Sequence, residues 1–462
     1  MGGDIPDRAD CAAVGTYRRA VSQTWFGEPN TDPWPGLTIG GDTATWNRLT
    51  RMLEVGHLPP PGAVLAEELI QAIPTDEPPP INGRPFALRA EVADSPWEQD
   101  AAIVRVTVTG RRPQFLDRPR AHVVLVIDEV IAEWELMDVV RKGVQELVTG
   151  LRHDDLITII GSHDGRVALE ATRAEDLGDI RLAMDEMRLS TRGRLSDSLE
   201  TGWDILDQAP LGDLRRMVIV SDGELELIFE GDRLMAQASR HAAAGIGVVG
   251  LGFGERQSRD DSVEAIVLAA GGPMLHLAYP FDGTQLAEHI GPLLEPAARD
   301  VRLLVEWDET QVAGVHRVGN DRDRVSGLGP AGESVGGEIG VGQTATVIYE
   351  VRLRPGAMGS SLGEVSVQAT PPGRQPQQLR VDLPGDPRPF VQASPDLRLA
   401  VAAASLAEVI GGRQTRQRLP PQRVADIARA AMRPEYDRDR QLADMADRAV
   451  QLLDYREVCA RR

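Results

Sequence analysis

The chain has 462 residues, of which 42% are hydrophobic and 26% are charged, and its formal net charge is −20 at pH 7. A single hydrophobic core stops growing below this length, so about two or three domains are expected. The acidic balance provides no basic surface that neutralises phosphates, which argues against nucleic acid and anionic membranes as partners. The composition is compatible with protein partners that have basic or neutral surfaces.

The sequence contains no segment typical of export or membrane insertion. Residues 1–36 include no apolar stretch as long as a signal-peptide core, and no run of about 18 apolar residues occurs in the chain. We therefore predict no membrane insertion. The sequence as given indicates a cytoplasmic protein. If an export signal has been removed from it, an exported or cell-envelope location is expected instead. Cys11 and Cys459 lie far apart, so neither a disulfide framework nor a zinc site is predicted.

The N-terminal quarter of the chain is predicted to contain an extension and a β-rich region. Residues 1–36 form the extension, and residues 37–120 form the β-rich region. Within the latter, strand patterns occur at 86–92 and 102–108, after proline-rich turns and a short helix pattern at 63–73.

The centre of the chain, residues 121–297, alternates apolar runs with amphipathic helix patterns. The runs are typical of strands buried on both faces and occur at 123–127, 156–160, 217–220 and 247–253. This alternation predicts an α/β domain with a doubly wound, mostly parallel sheet, whose ligand crevice lies beyond the carboxyl ends of the strands. Asp128 and Asp222 each end a strand, so both are expected to face that crevice.

The C-terminal part is predicted to begin with strands and end with helices. Within residues 298–390, apolar and polar residues alternate with period two between glycine and proline turns, which predicts strands. Residues 391–462 are predicted to form a helical tail, in which Ser394 caps a helix that has Pro395 at its first position. Each β-rich flank is too small to bury a core alone. We therefore predict that the two flanks pair into one sandwich-like domain with the α/β domain inserted between them.

The ordered series of motifs resembles a bacterial family of von Willebrand factor type A domain proteins that have their own N-terminal region and a C-terminal domain of unknown function. The resemblance covers roughly residues 37–455. Its motifs include Asp42-Thr-Ala-Thr-Trp46, Leu58-Pro-Pro-Pro61 and Pro96-Trp97 near the N-terminus, and Glu338-Ile-Gly-x-Gly342 with Val347-Ile-Tyr-Glu350 near the C-terminus. Because members of the family are often exported or lipid-anchored, the resemblance leaves the localisation open.

The same resemblance implies a position for a metal site, and the sequence departs from it there. Type A domains hold magnesium or manganese with Asp-x-Ser-x-Ser, a later threonine and a second strand-end aspartate. Here these positions correspond to Asp128, Val130, Ala132, Gly193 and Asp222. Three of the ligands lack a side-chain oxygen, and two carboxylates alone are a poor magnesium site. We therefore predict no metal. The alternative is a site of Asp128, Asp222 and Thr191, or one joined by Ser196 or Ser198 if the loop register differs.

Two arginines in the same loop offer a replacement for the cation. Thr191-Arg192-Gly193-Arg194 occupies the segment that would carry the metal-binding threonine. Two carboxylates that are buried close together are costly unless they are protonated or paired. We therefore expect Arg194, or failing that Arg192, to pair with Asp128 or Asp222. The alternative places both arginines in solvent at a loop tip.

A glycine motif in the chain matches a dinucleotide fingerprint only by its letters. Gly245-x-Gly247-x-x-Gly250 follows a helix pattern and contains a strand pattern, whereas the fingerprint must follow a strand and open a helix. The motif is therefore predicted to be a helix-ending glycine followed by a buried strand.

These observations favour a non-enzymatic scaffold that binds another protein without metal. The alternative is a magnesium- or manganese-dependent adhesion module that captures an acidic side chain of a protein partner. A hydrolase that uses Asp128 and Asp222 as an acid/base pair is a third hypothesis, but the sequence offers it no nucleophile. No catalytic residue is assigned.

Overall fold

The structure is a computed structural model of the chain. It describes residues 26–30, 44–60, 63–112, 118–128, 134–163, 165–187, 194–221, 230–253, 262–277, 294–319, 336–356, 359–411 and 419–460. The strands within these ranges form three sheets, one of six strands and two of four.

The six-stranded sheet lies in the centre of the sequence. Its strands are β3 (Ala121–Ile127), β4 (Leu156–Gly161), β5 (Val167–Arg173), β6 (Leu214–Ser221), β7 (Ile246–Phe253) and β8 (Met274–Leu277). The order is β5-β4-β3-β6-β7-β8, and every pair is parallel except β4 with β5. The predicted doubly wound, mostly parallel sheet is confirmed.

Helices connect these strands and contribute to two apolar layers. The helices are α3 (Trp134–Thr149), α4 (Leu177–Glu186), α5 (Leu195–Gln208), α6 (Gly231–Ala243) and α7 (Ser262–Ala269). Leu125 and Val218 belong to the same apolar cluster as Val140 of α3, whereas Val124 and Met217 belong to the cluster that contains Leu199 of α5. Neighbouring residues of each strand thus face opposite layers, which is why these strands are apolar without interruption.

Two antiparallel four-stranded sheets form a sandwich from both flanks of the sequence. Their strands are β1 (Phe86–Asp94), β2 (Ala101–Gly110), β9 (Pro296–Trp307), β10 (Val312–Arg317), β11 (Gly337–Gly340), β12 (Thr344–Leu353), β13 (Ser361–Thr370) and β14 (Gln377–Pro384). The orders are β1-β2-β12-β10 and β11-β9-β13-β14, and both sheets contribute to one apolar core. Because β2 pairs with β12 from Thr109 opposite Thr344 to Ala101 opposite Arg352, the predicted insertion of the α/β domain into a shared sandwich is confirmed.

A helical layer covers the other face of the β1-β2-β12-β10 sheet. It consists of α1 (Ala44–Glu54), α2 (Ala66–Gln71), α8 (Pro395–Ile410), α9 (Pro421–Ala431) and α10 (Asp437–Ala460), with a short 3-10 turn at Phe390–Gln392. Ile103 of β2 and Ile348 of β12 join its core. The Ser394 hydroxyl accepts a hydrogen bond from the Leu397 amide at 3.1 Å, so the predicted helix cap is confirmed.

Buried ion pairs join this helical layer to the sheet. Arg105 of β2 donates to Glu77 at 2.6 Å and lies 3.6 Å from Asp396, the second residue of α8. Arg433 bonds Asp396 and also donates to Asp439 at 2.7 Å. All five side chains are almost completely buried, so each charge depends on its partners for stabilisation.

A buried arginine joins the α/β domain to the sandwich. Arg216, near the start of β6, is 1% exposed, and it donates two hydrogen bonds to the Glu338 carboxylate of β11, at 2.5 and 3.0 Å. Its Nε donates to the Leu294 carbonyl oxygen at 2.8 Å, and Arg299 reaches the same carboxylate at 3.2 Å. Burial lowers the pKa of Arg299, and the positive charge of Arg216 acts in the same direction.

The glycine motif is explained by this arginine. Gly245 has a φ of +93° and follows Ala244, the C-cap of α6, and its amide donates to the Ala242 carbonyl oxygen, so the predicted helix-ending glycine is confirmed. Gly247 lies in β7, where a Cβ would approach Arg216 Nη1 to 1.4 Å. A glycine is therefore needed at that point because the arginine passes across its Cα on the way to Glu338.

Arg216→Ala is expected to lower the free energy of unfolding by about 3–5 kcal/mol, because Arg299 is then the one cationic partner of the largely buried Glu338 among the described residues. Chemical denaturation measures the loss. Arg440→Ala is the control, since Arg440 and Asp437 form an exposed pair and its loss should stay below about 1 kcal/mol. Equal losses in the two variants would contradict the assigned role of Arg216.

Glu350 of β12 is a buried carboxyl group in the sheet under the helical layer. Burial raises the pKa of Glu350 to about 7, and the negative charges of Glu98 and Glu408 also raise it. A hydrogen bond from Ser95 at 3.1 Å and the positive charge of Arg352 lower the pKa of Glu350. A folded-state pKa above the unfolded value means that the stabilisation is fully present at acidic pH and is lost as the pH rises through about 7.

Glu350→Gln should therefore flatten the pH dependence of stability between about pH 5 and about pH 8, and it should make the protein more stable than the wild type at the upper pH by roughly 3 kcal/mol at most. Denaturation curves of both proteins at the two pH values measure this difference. Glu54→Gln, at an exposed position of α1, is the control and should leave the pH dependence unchanged. The assignment would be contradicted if the stability of the wild type and that of the Glu350→Gln variant changed with pH in the same way over this interval.

Candidate functional site

Asp128 lies at the centre of the carboxyl end of the six-stranded sheet. It directly follows β3, is 0% exposed, and its amide donates to the Val220 carbonyl oxygen of β6 at 2.8 Å. The side chain therefore ends the central strand inside the crevice that the sequence predicted, rather than at its surface.

Two serine hydroxyl groups hold the Asp128 carboxylate. Ser162 Oγ donates to Oδ1 and Ser221 Oγ donates to Oδ2, both at 3.0 Å. Ser162 directly follows β4 and Ser221 ends β6, and these strands flank β3 on its two sides. Both serines are almost completely buried, so each carboxylate oxygen has a hydroxyl donor where water is excluded.

Backbone hydrogen bonds fix the position of Ser162. Its amide donates to the Ile127 carbonyl oxygen at 3.0 Å, and its carbonyl oxygen accepts from the Arg194 amide at 2.7 Å. The Ser198 hydroxyl donates to the Gly161 carbonyl oxygen at 2.9 Å. Ser198, considered above as an alternative metal ligand, thus ties α5 to the end of β4, and Ser196 is buried in the same helix.

The expected buried pair between Arg194 and Asp128 is wrong. Arg194 directly precedes α5, where its guanidinium is 79% exposed and lies 3.7 Å from Asp197 Oδ2. The backbone of Arg194 is bound to Ser162, while its side chain lies in solvent near Asp197, three residues further on. The serine hydroxyl groups occupy the place at Asp128 where the guanidinium was expected.

Several predicted site residues lie outside the described residues, so the predictions for them stay predictions. These residues are Val130, Ala132, Thr191, Arg192, Gly193 and Asp222. Within the described ranges, no group of three or more His, Cys, Asp or Glu side chains is arranged to hold a metal ion. The part of the site that is described, one buried carboxylate bonded by two hydroxyl groups, does not by itself form a cation site.

The sequence contained a signal for both serines. Each is a small hydroxyl residue at the carboxyl end of a strand, and the parallel register places Ile127 opposite Gly161 on one side and Val220 on the other. The residues that follow these positions must therefore lie beside Asp128. Neither serine stands at a position of the metal pattern, and for that reason the sequence predicted no role for Ser162 or Ser221.

Removing one serine hydroxyl should destabilise the protein, because one oxygen of the buried Asp128 carboxylate would lose its donor. For Ser162→Ala and for Ser221→Ala we expect losses of about 1–3 kcal/mol in the free energy of unfolding, measured by chemical denaturation.

Thr201→Ala is the control, since its exposed hydroxyl bonds only to the Asp197 carbonyl oxygen of its own helix. If both crevice variants lost no more than this control, the serines would not be the groups that stabilise Asp128.

The chain is similar to several known proteins. Residues 15–105 match a family described as von Willebrand factor; this range ends in β2 and includes the three N-terminal motifs quoted above. The chain is 22% identical over 337 residues to the protein YfbK of Escherichia coli (strain K12), an alignment that covers 70% of this chain and 58% of the other. The chain thus spans somewhat more than half the length of that relative.

Two solved structures are also similar. One is a von Willebrand factor type A protein from Catenulispora acidiphila, with 17% identity, a TM-score of 0.43, and coverage of 73% of this chain and 81% of that one. The other is the ArnB paralog VWA2 from Sulfolobus acidocaldarius, with 14% identity, a TM-score of 0.38, and coverage of 81% and 98%. No helix in the described part of the chain is long and apolar enough to cross a membrane.

Proposed function

We propose that this chain, which is similar to bacterial von Willebrand factor type A domain proteins, is a non-enzymatic scaffold that binds another protein at the Asp128 end of its six-stranded sheet without a metal ion. The observation that carries the proposal is the pair of hydrogen bonds from Ser162 and Ser221 to the two oxygens of Asp128.

The hydrogen bonds support metal independence through the cost of burying a charge. A buried carboxylate without partners is strongly unfavourable, and a cation is one way to satisfy it. Here each oxygen of Asp128 already accepts a bond from a hydroxyl group, and Asp128 is also anchored through its amide to β6. The folded state therefore has donors in place at this carboxylate before any ion binds.

The position of the crevice supports its use as a binding surface. Arg216 contacts the sandwich near the start of β6, whereas Ser221 ends the same strand five residues later. At about 3.3 Å per residue, the two ends are separated by roughly 16 Å. The sandwich thus holds the amino end of the sheet, and the carboxyl end faces away from that contact.

The burial of Asp128 argues against the hydrolase hypothesis. An acid/base pair must come within hydrogen-bonding distance of the reacting group, but Asp128 is 0% exposed and both of its oxygens are bonded. A role in positioning the crevice fits this geometry better than a role in proton transfer.

Millimolar magnesium or manganese, or EDTA, should leave the melting temperature of the protein unchanged, because a ligand stabilises a protein only by binding its native state. Differential scanning calorimetry of the wild type and of Asp128→Asn tests this point. Micromolar magnesium binding by the wild type that is lost in Asp128→Asn would instead establish the metal-dependent adhesion module.

Partner binding is tested with a matched pair of surface variants. Arg194 and Arg440 each lie in an exposed ion pair with an aspartate three residues away, but only Arg194 is at the rim of the crevice. A partner captured by the wild type in EDTA should bind Arg194→Glu at least about tenfold more weakly, and Arg440→Glu as the wild type does. Equal binding by all three proteins would place the interface elsewhere.

A further inference from the structure

A short segment near the N-terminus is bound to the open edge of the sandwich. Residues 26–30 lie beside β10, which is the edge strand of the β1-β2-β12-β10 sheet. The Gly27 amide donates to the Val315 carbonyl oxygen at 2.9 Å, and the Val315 amide donates to the Gly27 carbonyl oxygen at 3.1 Å. The segment therefore adds one antiparallel bridge to the edge of the sheet.

The side chain of Asn30 binds the backbone of the second sheet. Asn30 Nδ2 donates to the Trp307 carbonyl oxygen at 3.0 Å, and the Trp307 amide donates to Asn30 Oδ1 at 2.8 Å. The φ of Asn30 is +63°, a left-handed conformation that asparagine adopts more readily than most residues. The site thus selects asparagine by its amide geometry and by its backbone conformation.

Phe26 lies across β10 and reaches the next strand. The guanidinium of Arg352 in β12 is 4.1 Å from the centre of the Phe26 ring, and Glu98 holds that arginine with bonds of 3.0 and 3.1 Å. Gly314 of β10 is opposite Arg352 in the sheet, and a Cβ at Gly314 would come within 2.9 Å of Phe26 Cβ. The absence of a side chain at Gly314 creates the passage through which the aromatic ring contacts the arginine.

We propose that this edge is a peptide-binding site, with residues 26–30 as its resident intramolecular ligand. The site takes an extended segment in which an aromatic residue is followed directly by glycine and, four positions after the aromatic residue, by asparagine. Three independent contacts define it: the β10 backbone binds the glycine, Arg352 binds the aromatic ring, and the Trp307 backbone binds the asparagine. This recognition mode, in which a segment is added to a sheet edge, derives its affinity from main-chain bonds and its selectivity from side-chain pockets.

Among the described residues, both backbone bonds between the resident segment and β10 involve Val315, so we expect that an external peptide can displace the segment. Because the segment belongs to the same chain, it competes with such a peptide at a fixed effective concentration. Weakening the resident segment in the full chain should therefore expose the site to a free peptide.

The test uses a synthetic peptide of residues 24–32 and the full chain carrying Phe26→Ala and Asn30→Ala. This double variant should bind the peptide saturably with one site, and at least about tenfold more tightly than the wild-type chain, whose own segment competes. Isothermal calorimetry or fluorescence anisotropy measures both affinities, and circular dichroism verifies that each chain is folded.

Two controls separate the site from nonspecific binding. Adding Gly314→Val to the double variant should abolish peptide binding, because the new side chain occupies the passage of the ring. A peptide that itself carries Phe26→Ala and Asn30→Ala should bind at least about tenfold more weakly to the double-variant chain, and this result does not depend on the folding of any further protein variant. The proposal fails if the double variant binds the peptide no more tightly than the wild type, or if the altered peptide binds as well as the original.

Discussion

The pairing of β2 with β12 is the constraint on which the architecture depends. The register joins Thr109 to Thr344, so segments more than two hundred residues apart share one sheet. Every residue of β2 is buried, because one of its faces contributes to the sandwich core and the other to the core under the helices. The chain leaves the sandwich after β2 and re-enters it at β9 of the second sheet, where Ala297 Cβ would lie 3.1 Å from a Cβ placed on Gly110 of β2, so the two ends of the α/β domain are close to each other. Such non-local pairing is slow to form, and an inserted domain that folds locally reduces the length of chain left to be ordered.

Charged side chains are buried at the boundaries between these units. Arg216 and Glu338 join the α/β domain to the sandwich, while Arg105 of β2 contacts Glu77 and Asp396 and so joins the sandwich to the helical layer, in which Arg433 binds Asp396 in turn. Apolar surfaces can slide against each other with little change in free energy, whereas a bidentate ion pair is stable in one geometry. We infer that these pairs fix the orientation of the units rather than increase their stability.

The sequence predicted the parts of the fold that depend on local pattern. Continuous apolar runs identified β3, β4, β6 and β7, and the ends of these strands located Asp128. The sequence reading did not predict α1, although Trp46, Leu49 and Leu53 have helical spacing. The neighbouring proline-rich turns and strand patterns led to the prediction of a β-rich region there. The roles of Arg216 and Gly247 could not be predicted, since the arginine meets Glu338 more than a hundred residues later in the chain. The predicted partner of Arg194 was wrong because it was inferred from the position of Arg194 in the loop. In the structure, Arg194 directly precedes α5 and its side chain lies near Asp197.

The arrangement at Asp128 also bears on which partners the crevice accepts. In a metal-dependent type A domain, the cation supplies the positive charge that attracts an acidic side chain of the partner. Serine hydroxyl groups bond the buried carboxylate but bring no positive charge of their own, so under the proposed metal-independent function they leave the potential around Asp128 more negative than a cation would. The rest of the chain adds to it, with 70 acidic against 50 basic residues. An acidic group would meet repulsion in such a crevice, whereas a guanidinium, an ammonium group or a backbone amide would be attracted. Under the proposed function, two hydroxyl groups in place of a cation would therefore shift the charge preference of the site from acidic towards basic groups, on the same fold.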